Sequence, residues 1–263
     1  LLIMGPDCGT AIINNKGIGF ANNVRKGPIS IVAASGTGTQ EVTSLIHQLG
    51  SGITHALGTG SHDVSNAIKG LSLIDSFHAL MNDQNTEVIV IISKPPENEA
   101  LKSIMNEINN TEKPTVIVFL GKTRLDLSPL IHNSKIIVSE NLEEAALKAV
   151  HLVNGLDKVR LREPQYDYKL LNNRIDKLKK TKRRKIRGLY AGGTFTSEAI
   201  FLLRKTLENE RIYSNISSEG VLLLDDVYTS QGHTLIDLGA DEFTIGKPHP
   251  MIDQYYRKKR LIQ

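Results

Sequence analysis

Two short segments rich in glycine and threonine contain the residues best suited to chemistry. Residues 35–42 read Ser-Gly-Thr-Gly-Thr-Gln-Glu-Val and residues 192–199 read Gly-Gly-Thr-Phe-Thr-Ser-Glu-Ala. Each follows an apolar, strand-like run and precedes an amphipathic, helix-like run. A helix that begins at such a turn presents free backbone N–H groups and the positive end of its dipole, which favour an anion. Two such turns in one chain could direct both helix ends at one anionic group. We predict anion binding at these positions: Ser35, Gly36, Thr37, Gly38, Thr39, Gly192, Gly193, Thr194 and Thr196. The alternative is that both turns only cap their helices.

Polar residues follow the other predicted strands as well. In an open parallel sheet, ligands bind beyond the carboxyl ends of the strands, where the strand order reverses. Lys94 follows the third predicted strand, and Lys122 and Arg124 follow the fourth. These cations would neutralise the charge of a phosphoryl group near the first turn. His62 and Asp63 follow the second strand and are a candidate acid–base pair, although adjacent loop residues often only cap the next helix.

A stiff loop near the C-terminus holds a further candidate group. His249 lies between two prolines, which limit the movement of its imidazole, so we predict it as a general acid or base. Lys247 and Asp253 of the same loop are further candidates. Cys8 has no histidine close in sequence, which argues against a nucleophile. No group of His, Cys and Asp residues has metal-ligand spacing, so we predict no metal site.

The elements that must position these residues follow a regular pattern. Strand-like runs without polar alternation cover residues 29–34, 53–57, 87–92, 115–120 and 135–138, and helical patterns cover 39–49, 71–81, 97–109 and 142–153. Apolar runs of this length indicate strands buried on both faces, as in a parallel sheet. Strands that alternate with helices predict an α/β, doubly wound, flavodoxin-like fold.

A basic segment separates this pattern from a second one. Between Lys158 and Arg187 the chain has 13 Lys or Arg and 3 Asp or Glu. The net charge of +4 therefore belongs to a connector, and the remaining residues are mildly acidic. Strand and helix patterns restart at Ile186, with too few residues for another five-stranded sheet. We predict a first domain at 1–154, a basic linker at 155–185 and an incomplete second domain at 186–263.

Composition restricts the class of protein. The chain is 40% hydrophobic and 23% charged, with one cysteine and no tryptophan. One cysteine excludes an internal disulfide framework and fits a cytoplasmic protein. No apolar run approaches the roughly 20 residues of a membrane span. The basic run 179–185 could bind nucleic acid, but it is more typical of a solvated connector, so we predict neither a membrane nor a nucleic-acid partner.

The motifs resemble those of a known family. Gly5-Pro6-Asp7-Cys8, the first Gly/Thr turn and residues 58–63 resemble the ligase-type domain of the succinyl-CoA synthetase alpha subunit. Nearly the whole chain is similar to the FdrA family of acyl-CoA-synthetase-like proteins, for which Ser93-Lys94-Pro95-Pro96 and residues 246–253 are distinctive. The resemblance implies tandem ligase-type domains, a CoA-binding domain before Leu1 and a second domain that continues past Gln263. It also implies that the two turns match the helices that converge on a phosphohistidine in the synthetase.

Two departures from the synthetase affect the function that the resemblance implies. The Gly-His-Ala-Gly loop of the phosphohistidine is absent after the fourth strand, and Lys94 stands where the synthetase has a carboxylate. An ammonium group attracts phosphate, which favours direct handling of an acyl phosphate. The resemblance implies acyl or carbamoyl transfer, as a subunit of an oxamate carbamoyltransferase in allantoin and purine catabolism. CoA or carbamoyl phosphate would be a substrate of the whole protein. Its partners would be other enzyme subunits, and no cofactor is assigned to this segment. The alternatives are a succinyl-CoA-synthetase-like ligase and a non-catalytic scaffold or regulatory subunit.

Overall fold

The chain forms two compact units, Leu1–Arg160 and Leu161–Gln263. The computed structural model describes residues 8–120, 127–155, 166–182, 184–207, 210–218 and 220–262. Both units are α/β structures with mostly parallel sheets, which confirms the predicted fold class. None of the helices in the described part of the chain is long and apolar enough to span a membrane.

The first unit is built on a seven-stranded sheet. Its described elements are β1 (Thr10–Ile13), β2 (Lys16–Gly19), β3 (Ile29–Ala33), α1 (Gly36–Gln48), β4 (Ile53–Gly58), α2 (Leu71–Asn82), β5 (Val88–Ser93), α3 (Asn98–Ile108), β6 (Thr115–Phe119), a 3-10 turn (Ser128–Leu130), β7 (Ile136–Ser139) and α4 (Leu142–Asn154). The strands lie in the order β2-β1-β4-β3-β5-β6-β7, and β3 to β7 run parallel. Counted from β3, this is the flavodoxin order. The five predicted strands and four predicted helices are confirmed.

The core explains why the central strands show no polar alternation. Every residue of β3, β5 and β6 is buried. On one face, Val32 and Ile91 pack in a cluster with Phe77 of α2 and Ile104 of α3. On the other face, α1 packs against α4. Because helices cover both faces, each strand needs apolar side chains on both sides, as in other parallel sheets.

The antiparallel hairpin β1–β2 was not predicted. Its loop residues Asn14 and Asn15 have φ angles of 47° and 62°, which is the backbone of a type I′ hairpin turn. The backbone N–H of Asn14 donates to Nδ1 of His55 at 3.2 Å, and β1 pairs antiparallel with β4. Strands of four residues, one of them exposed throughout, leave too short a hydrophobic pattern to detect in sequence.

The second unit is built on a four-stranded parallel sheet in the order β10-β9-β11-β8. Its described elements are α5 (Tyr168–Lys179), β8 (Arg187–Tyr190), α6 (Gly193–Thr206), β9 (Ile212–Ser214), β10 (Val221–Leu223), β11 (His233–Asp237), α7 (Asp241–Thr244) and α8 (Tyr255–Ile262). One face of the sheet packs Leu235 against Ile200 of α6, and the other packs Ile236 against Phe243 of α7. The three-residue strand β9 was not predicted. The boundaries 154/155 and 185/186 stay predictions.

Candidate functional site

The turns after β3, β4 and β5 lie at one edge of the first sheet. Ala33 pairs with Ile92 of β5 and with Gly58 of β4, and the N–H of Thr59 donates to the carbonyl of Ala33 at 2.8 Å. The strand order reverses at β3, because β4 lies on one side of it and β5 on the other. Ligands of doubly wound sheets bind at this reversal point. The first Gly/Thr turn therefore occupies the position that the topology favours for a ligand.

The N-terminus of α1 is capped by a neutral side chain. Ser35 has an extended backbone, and its Oγ accepts a hydrogen bond from the N–H of Gly38 at 3.0 Å. Oγ1 of Thr39 donates to the carbonyl of Ser35 at 2.6 Å. The next N–H groups, those of Gly36 and Thr37, donate to no atom of the described residues, and both residues are half-exposed. A hydroxyl cap leaves the positive dipole end in place, so these two N–H groups are available to an anion.

Cys8 forms part of the wall beside this turn. A Cβ atom on Gly58 would lie 2.1 Å from Sγ of Cys8 and 2.7 Å from the carbonyl oxygen of Thr10, so that only glycine fits there. A Cβ atom on Gly36 would lie 3.9 Å from the same Sγ. The thiol therefore lies between the end of β4 and the first turn of α1. Neighbours along the chain do not reveal this placement, because the hairpin that follows Cys8 brings it to the site.

Lys94 directly follows β5, the strand that pairs with β3. Ile92 pairs with Ala33, so Lys94 and Ser35 each follow this pair of residues by two positions. The Lys94 side chain is exposed. The predicted cations Lys122 and Arg124 lie outside the described residues. One lysine thus follows β5 at the edge where α1 begins, as the sequence predicted.

Asp63 has a structural partner at the start of α2. Its carboxylate oxygens accept hydrogen bonds from the N–H groups of Ser72 and Leu73, each at 2.9 Å. Burial raises the pKa of Asp63, and these backbone bonds oppose the rise. Asp63 therefore caps the N-terminus of α2, which was the alternative to its role in an acid–base pair. His62, in the same loop, is exposed, and its role as an acid or base stays a prediction.

The N-terminus of α6 differs from that of α1, because it faces a carboxylate of its own unit. Gly192, at the N-cap position, supplies no side-chain cap. A Cβ atom on Gly193 would lie 3.2 Å from Oδ2 of Asp237, the last residue of β11. The N–H of Gly239 donates to Oδ1 of Asp237 at 2.7 Å, and the N–H of Gly192 donates to the same carboxylate. Asp237 was not among the predicted site residues, although an Asp that ends an apolar strand run was the available signal.

Asp237 titrates close to neutral pH. Its side chain is 6% exposed, and burial raises the pKa of the carboxyl group from 3.8 to about 6. The negative charge of Glu242 raises it further, whereas the N–H groups of Gly239 and Gly192 lower it. The side chain of Asn215 bonds to both the N–H and the carbonyl of Asp237, each at 2.9 Å, and fixes this position. A carboxyl group in such a site exchanges a proton in the neutral range.

His249 lies beside this carboxylate. Its carbonyl accepts from the N–H groups of Ile252 and Asp253, and the N–H of Met251 donates to Nδ1 at 3.3 Å. Nδ1 is therefore an acceptor, and the proton of the neutral ring is on Nε2. A Cβ atom on Gly239 would lie 3.2 Å from Nε2 of His249 and 3.1 Å from Oδ1 of Asp237. Burial lowers the pKa of His249. A neutral imidazole and a titrating carboxyl group thus flank one small gap.

The other predicted residues of this loop make contacts with α8. Nζ of Lys247 is hydrogen-bonded to the hydroxyl of Tyr256 and lies 4.5 Å from the centre of that ring. Oδ1 of Asp253 accepts from the N–H of Tyr255 at 2.9 Å and so caps α8. These contacts hold the loop in place, and they give both residues a structural role.

Comparison with known proteins finds similarity to a CoA-binding domain family and to a CoA ligase subunit. Residues 24–121 match the family described as CoA binding domain. The chain is 40% identical to the Escherichia coli K12 protein named "Uncharacterized protein YahF", over the whole chain and half of that protein. It is 31% identical to a succinate–CoA ligase [ADP-forming] subunit alpha of Staphylococcus epidermidis, over 46% of this chain and 40% of that subunit.

One solved structure that matches the chain is the dinucleotide-forming acetyl-coenzyme A synthetase 1 of Ca. Korarchaeum cryptofilum in complex with phosphate and ADP. It is 17% identical, and the match covers 78% of this chain and 43% of that one, with a TM-score of 0.45. The chain spans half or less of the length of its curated relatives. The CoA-binding match falls in the segment that the FdrA resemblance assigned to a ligase-type domain, and a further CoA-binding domain before Leu1 stays a prediction.

Proposed function

We propose that this chain binds an acyl phosphate at the N-terminus of α1 and serves in acyl group transfer. The proposal rests on one observation: the N–H groups of Gly36 and Thr37 are available at the point where the strand order of the first sheet reverses. Two adjacent backbone donors at the positive end of a helix suit the oxygens of a phosphoryl group. Lys94, at the end of the neighbouring strand, adds a compact positive charge.

We propose carbamoyl phosphate as the acyl phosphate. The support is the resemblance to FdrA-type proteins, together with Lys94 at the position where succinyl-CoA synthetase has a carboxylate. A carboxylate steadies an imidazole, whereas an ammonium group repels an imidazolium and attracts phosphate. Lys94 is thus suited to an acyl phosphate that reacts without a phosphohistidine. On this proposal the whole protein is a subunit of an oxamate carbamoyltransferase in allantoin and purine catabolism.

Within the second unit, we propose His249 as a general acid or base. Its Nε2 and Oδ1 of Asp237 approach the same point beside Gly239, and the pKa of Asp237 is about 6. Acyl transfer needs a group that removes the proton of the attacking nucleophile as the carbonyl–phosphate bond breaks. The ionised carboxylate of Asp237 can take that proton. His249 beside it can give one as a general acid from Nε2, because Nδ1 already accepts from the N–H of Met251.

A titration of the isotopically labelled chain with carbamoyl phosphate tests the α1 site. We expect saturable shifts of the amide signals of Gly36 and Thr37. Lys94→Glu should weaken binding about tenfold or more, because it replaces an attracting charge with a repelling one. Lys102→Glu, an exposed lysine of α3, is the matched control and should leave the affinity unchanged. Unchanged affinity of Lys94→Glu for carbamoyl phosphate would contradict the proposed site at α1.

The choice of ligand separates the parts of this proposal. Acetyl phosphate has the size of carbamoyl phosphate but a methyl group in place of the amino group. Equal affinity for both would support an acyl phosphate site and remove the reason to prefer carbamoyl transfer. Equal affinity for inorganic phosphate would show that the turn binds the phosphoryl group alone.

An acyl-CoA ligase is the second candidate function. It is favoured by the CoA-binding match at residues 24–121 and by the similarity to a succinate–CoA ligase subunit. A ligase of that kind needs a phosphorylated protein intermediate and a CoA site. Incubation of the full-length protein with labelled nucleotide should then give an acid-labile label, and CoA should shift signals within 24–121. Absence of both would exclude this candidate.

A further inference from the structure

The second unit contains a cavity of about 570 Å³ that none of the site residues above lines. Its floor is the face of β8 and β11 that packs away from α6, and Leu189 and Ile236 are among its lining residues. Tyr228 forms part of one wall, and Arg257 and Arg260 of α8 form part of another. A volume in this range is typical of sites for small organic molecules.

The charged residues that line the cavity are all arginines. Arg187 of β8 joins Arg257 and Arg260, and no acidic residue is among the lining side chains of the described chain. Two of the guanidinium groups are fixed by the protein itself. Nη1 of Arg187 donates to the carbonyls of Ile186 and Gly232, and Nη2 of Arg260 donates to Oγ of Ser230 at 3.0 Å. These bonds hold positive charges beside the cavity without neutralising them.

Arg257 differs from the other two, because within the described part of the chain no acceptor bonds to any nitrogen of its guanidinium group. The Nε atom of this group is fully buried. A buried donor without an acceptor is unfavourable, and more so when it is charged. An acceptor supplied by a ligand would remove this cost, since a guanidinium group offers several parallel donors to a phosphate or carboxylate.

We infer that this arginine pocket binds a small organic anion, a phosphate or carboxylate attached to an apolar body. Arg257 and Arg187 face the anionic group, and Leu189 and the ring of Tyr228 contact the apolar body. The pocket lies wholly within the second unit and goes beyond the proposed acyl phosphate site, since it shares no residue with the α1 turn.

The electrostatics of Arg260 agree with this inference. Its side chain is 7% exposed, and burial together with the charge of Arg187 lowers the pKa of its guanidinium group. Asp226 attracts Arg260, but the carboxylate oxygens of Asp226 already accept bonds from the N–H of Tyr228 at 2.9 Å and from Oγ1 of Thr229 at 2.6 Å. The electrostatic potential around the guanidinium groups of Arg260 and Arg187 therefore stays positive, and an anion in the cavity would stabilise both charges.

The probe for this pocket is 1-naphthyl phosphate, which combines both parts of the inferred ligand and is fluorescent. We expect saturable binding to the whole chain, about tenfold weaker for 1-naphthol and for inorganic phosphate, because each lacks one part. 1-Naphthoate distinguishes a phosphate site from one that accepts carboxylates. Equal binding of 1-naphthol, or no saturation at millimolar concentration, would overturn the inference.

A matched pair of variants on α8 locates the binding. Arg257→Gln should lose about tenfold in affinity for 1-naphthyl phosphate, whereas Lys258→Gln removes the same charge from the exposed next residue and should change nothing. Equal effects in both variants would contradict the proposed site. A measurement on the unmodified chain guards against misfolding of Arg257→Gln: the Nε–H signal of Arg257 should shift with 1-naphthyl phosphate and not with 1-naphthol. An unshifted signal would also overturn the inference.

Discussion

The two Gly/Thr turns look alike in sequence but differ in what lies at the helix end. At α1 the cap is the hydroxyl of Ser35, and the N–H groups of Gly36 and Thr37 have no acceptor in the described chain. At α6 the N-cap is Gly192, and the carboxylate of Asp237 lies at the first turn. One helix end is open to an external anion, and the other already has an internal one.

This difference shows that a turn motif does not by itself define an anion site. The dipole of a helix attracts negative charge wherever it comes from, so an internal carboxylate competes with any ligand. At the α6 turn the competitor is neutral only below the pKa of Asp237, about 6. We therefore expect the α1 turn to bind phosphate across the neutral range and the α6 turn to bind it only in acid.

The largest effect that follows from this comparison is that of Asp237→Asn. The carboxyl group has a pKa of about 6 in the folded protein and 3.8 as its ordinary value, so the folded state binds the proton more tightly. The cost of burying the charge is absent below about pH 4 and grows between about pH 4 and pH 6. Above pH 6 it is complete and lowers the free energy of unfolding by roughly 3 kcal/mol. Asparagine does not titrate, so the variant should gain stability over the native chain by about that amount at neutral pH.

Denaturant unfolding at a series of pH values measures this difference. Asp226→Asn is the control and should lower the free energy of unfolding at neutral pH. Hydrogen bonds from Thr229 and from the N–H of Tyr228 lower the pKa of Asp226, so its negative charge stabilises the folded state. Asp237→Asn should also let the α6 turn bind inorganic phosphate at neutral pH, as the α1 turn does. If Asp237→Asn and the native chain have the same free energy of unfolding at every pH, Asp237 does not hold a buried charge at the α6 turn, and the proposed difference between the turns is contradicted.

Much of the fold was predictable from the sequence, whereas the chemical difference between the turns was not. Residues 29–34 and 87–92 predict β3 and β5 because strands buried on both faces are apolar throughout. The places of Asp237 and Cys8 depend on pairing across the sheet, on β11 beside β8 and on β1 beside β4. Sequence patterns describe neighbours along the chain, so contacts of this kind escape them.

A smaller effect is expected from Ser35→Ala. Loss of the cap leaves the N–H of Gly38 without its acceptor and should cost about 1 kcal/mol of unfolding free energy. Asn141→Ala removes an equivalent cap at α4, where Oδ1 accepts from the N–H of Glu144 at 2.8 Å, and should cost a similar amount. Carbamoyl phosphate titrations should separate the two variants, since only Ser35 adjoins the proposed site. Equal affinities in both would show that the α1 turn is only a capped helix end.

The smallest effect concerns the threonine that the two turns share. Oγ1 of Thr39 donates to the carbonyl of Ser35 at 2.6 Å, and Oγ1 of Thr196 donates to that of Gly192 at 3.1 Å. Each carbonyl also accepts a backbone N–H, so Thr39→Val and Thr196→Val remove one bond without stranding the acceptor. We expect losses of about 0.5 kcal/mol in both, with little change in phosphate affinity. Denaturant unfolding and phosphate titration check this. A large loss of affinity in Thr39→Val alone would mean that this hydroxyl takes part in binding, and that the turns differ in a residue that they share.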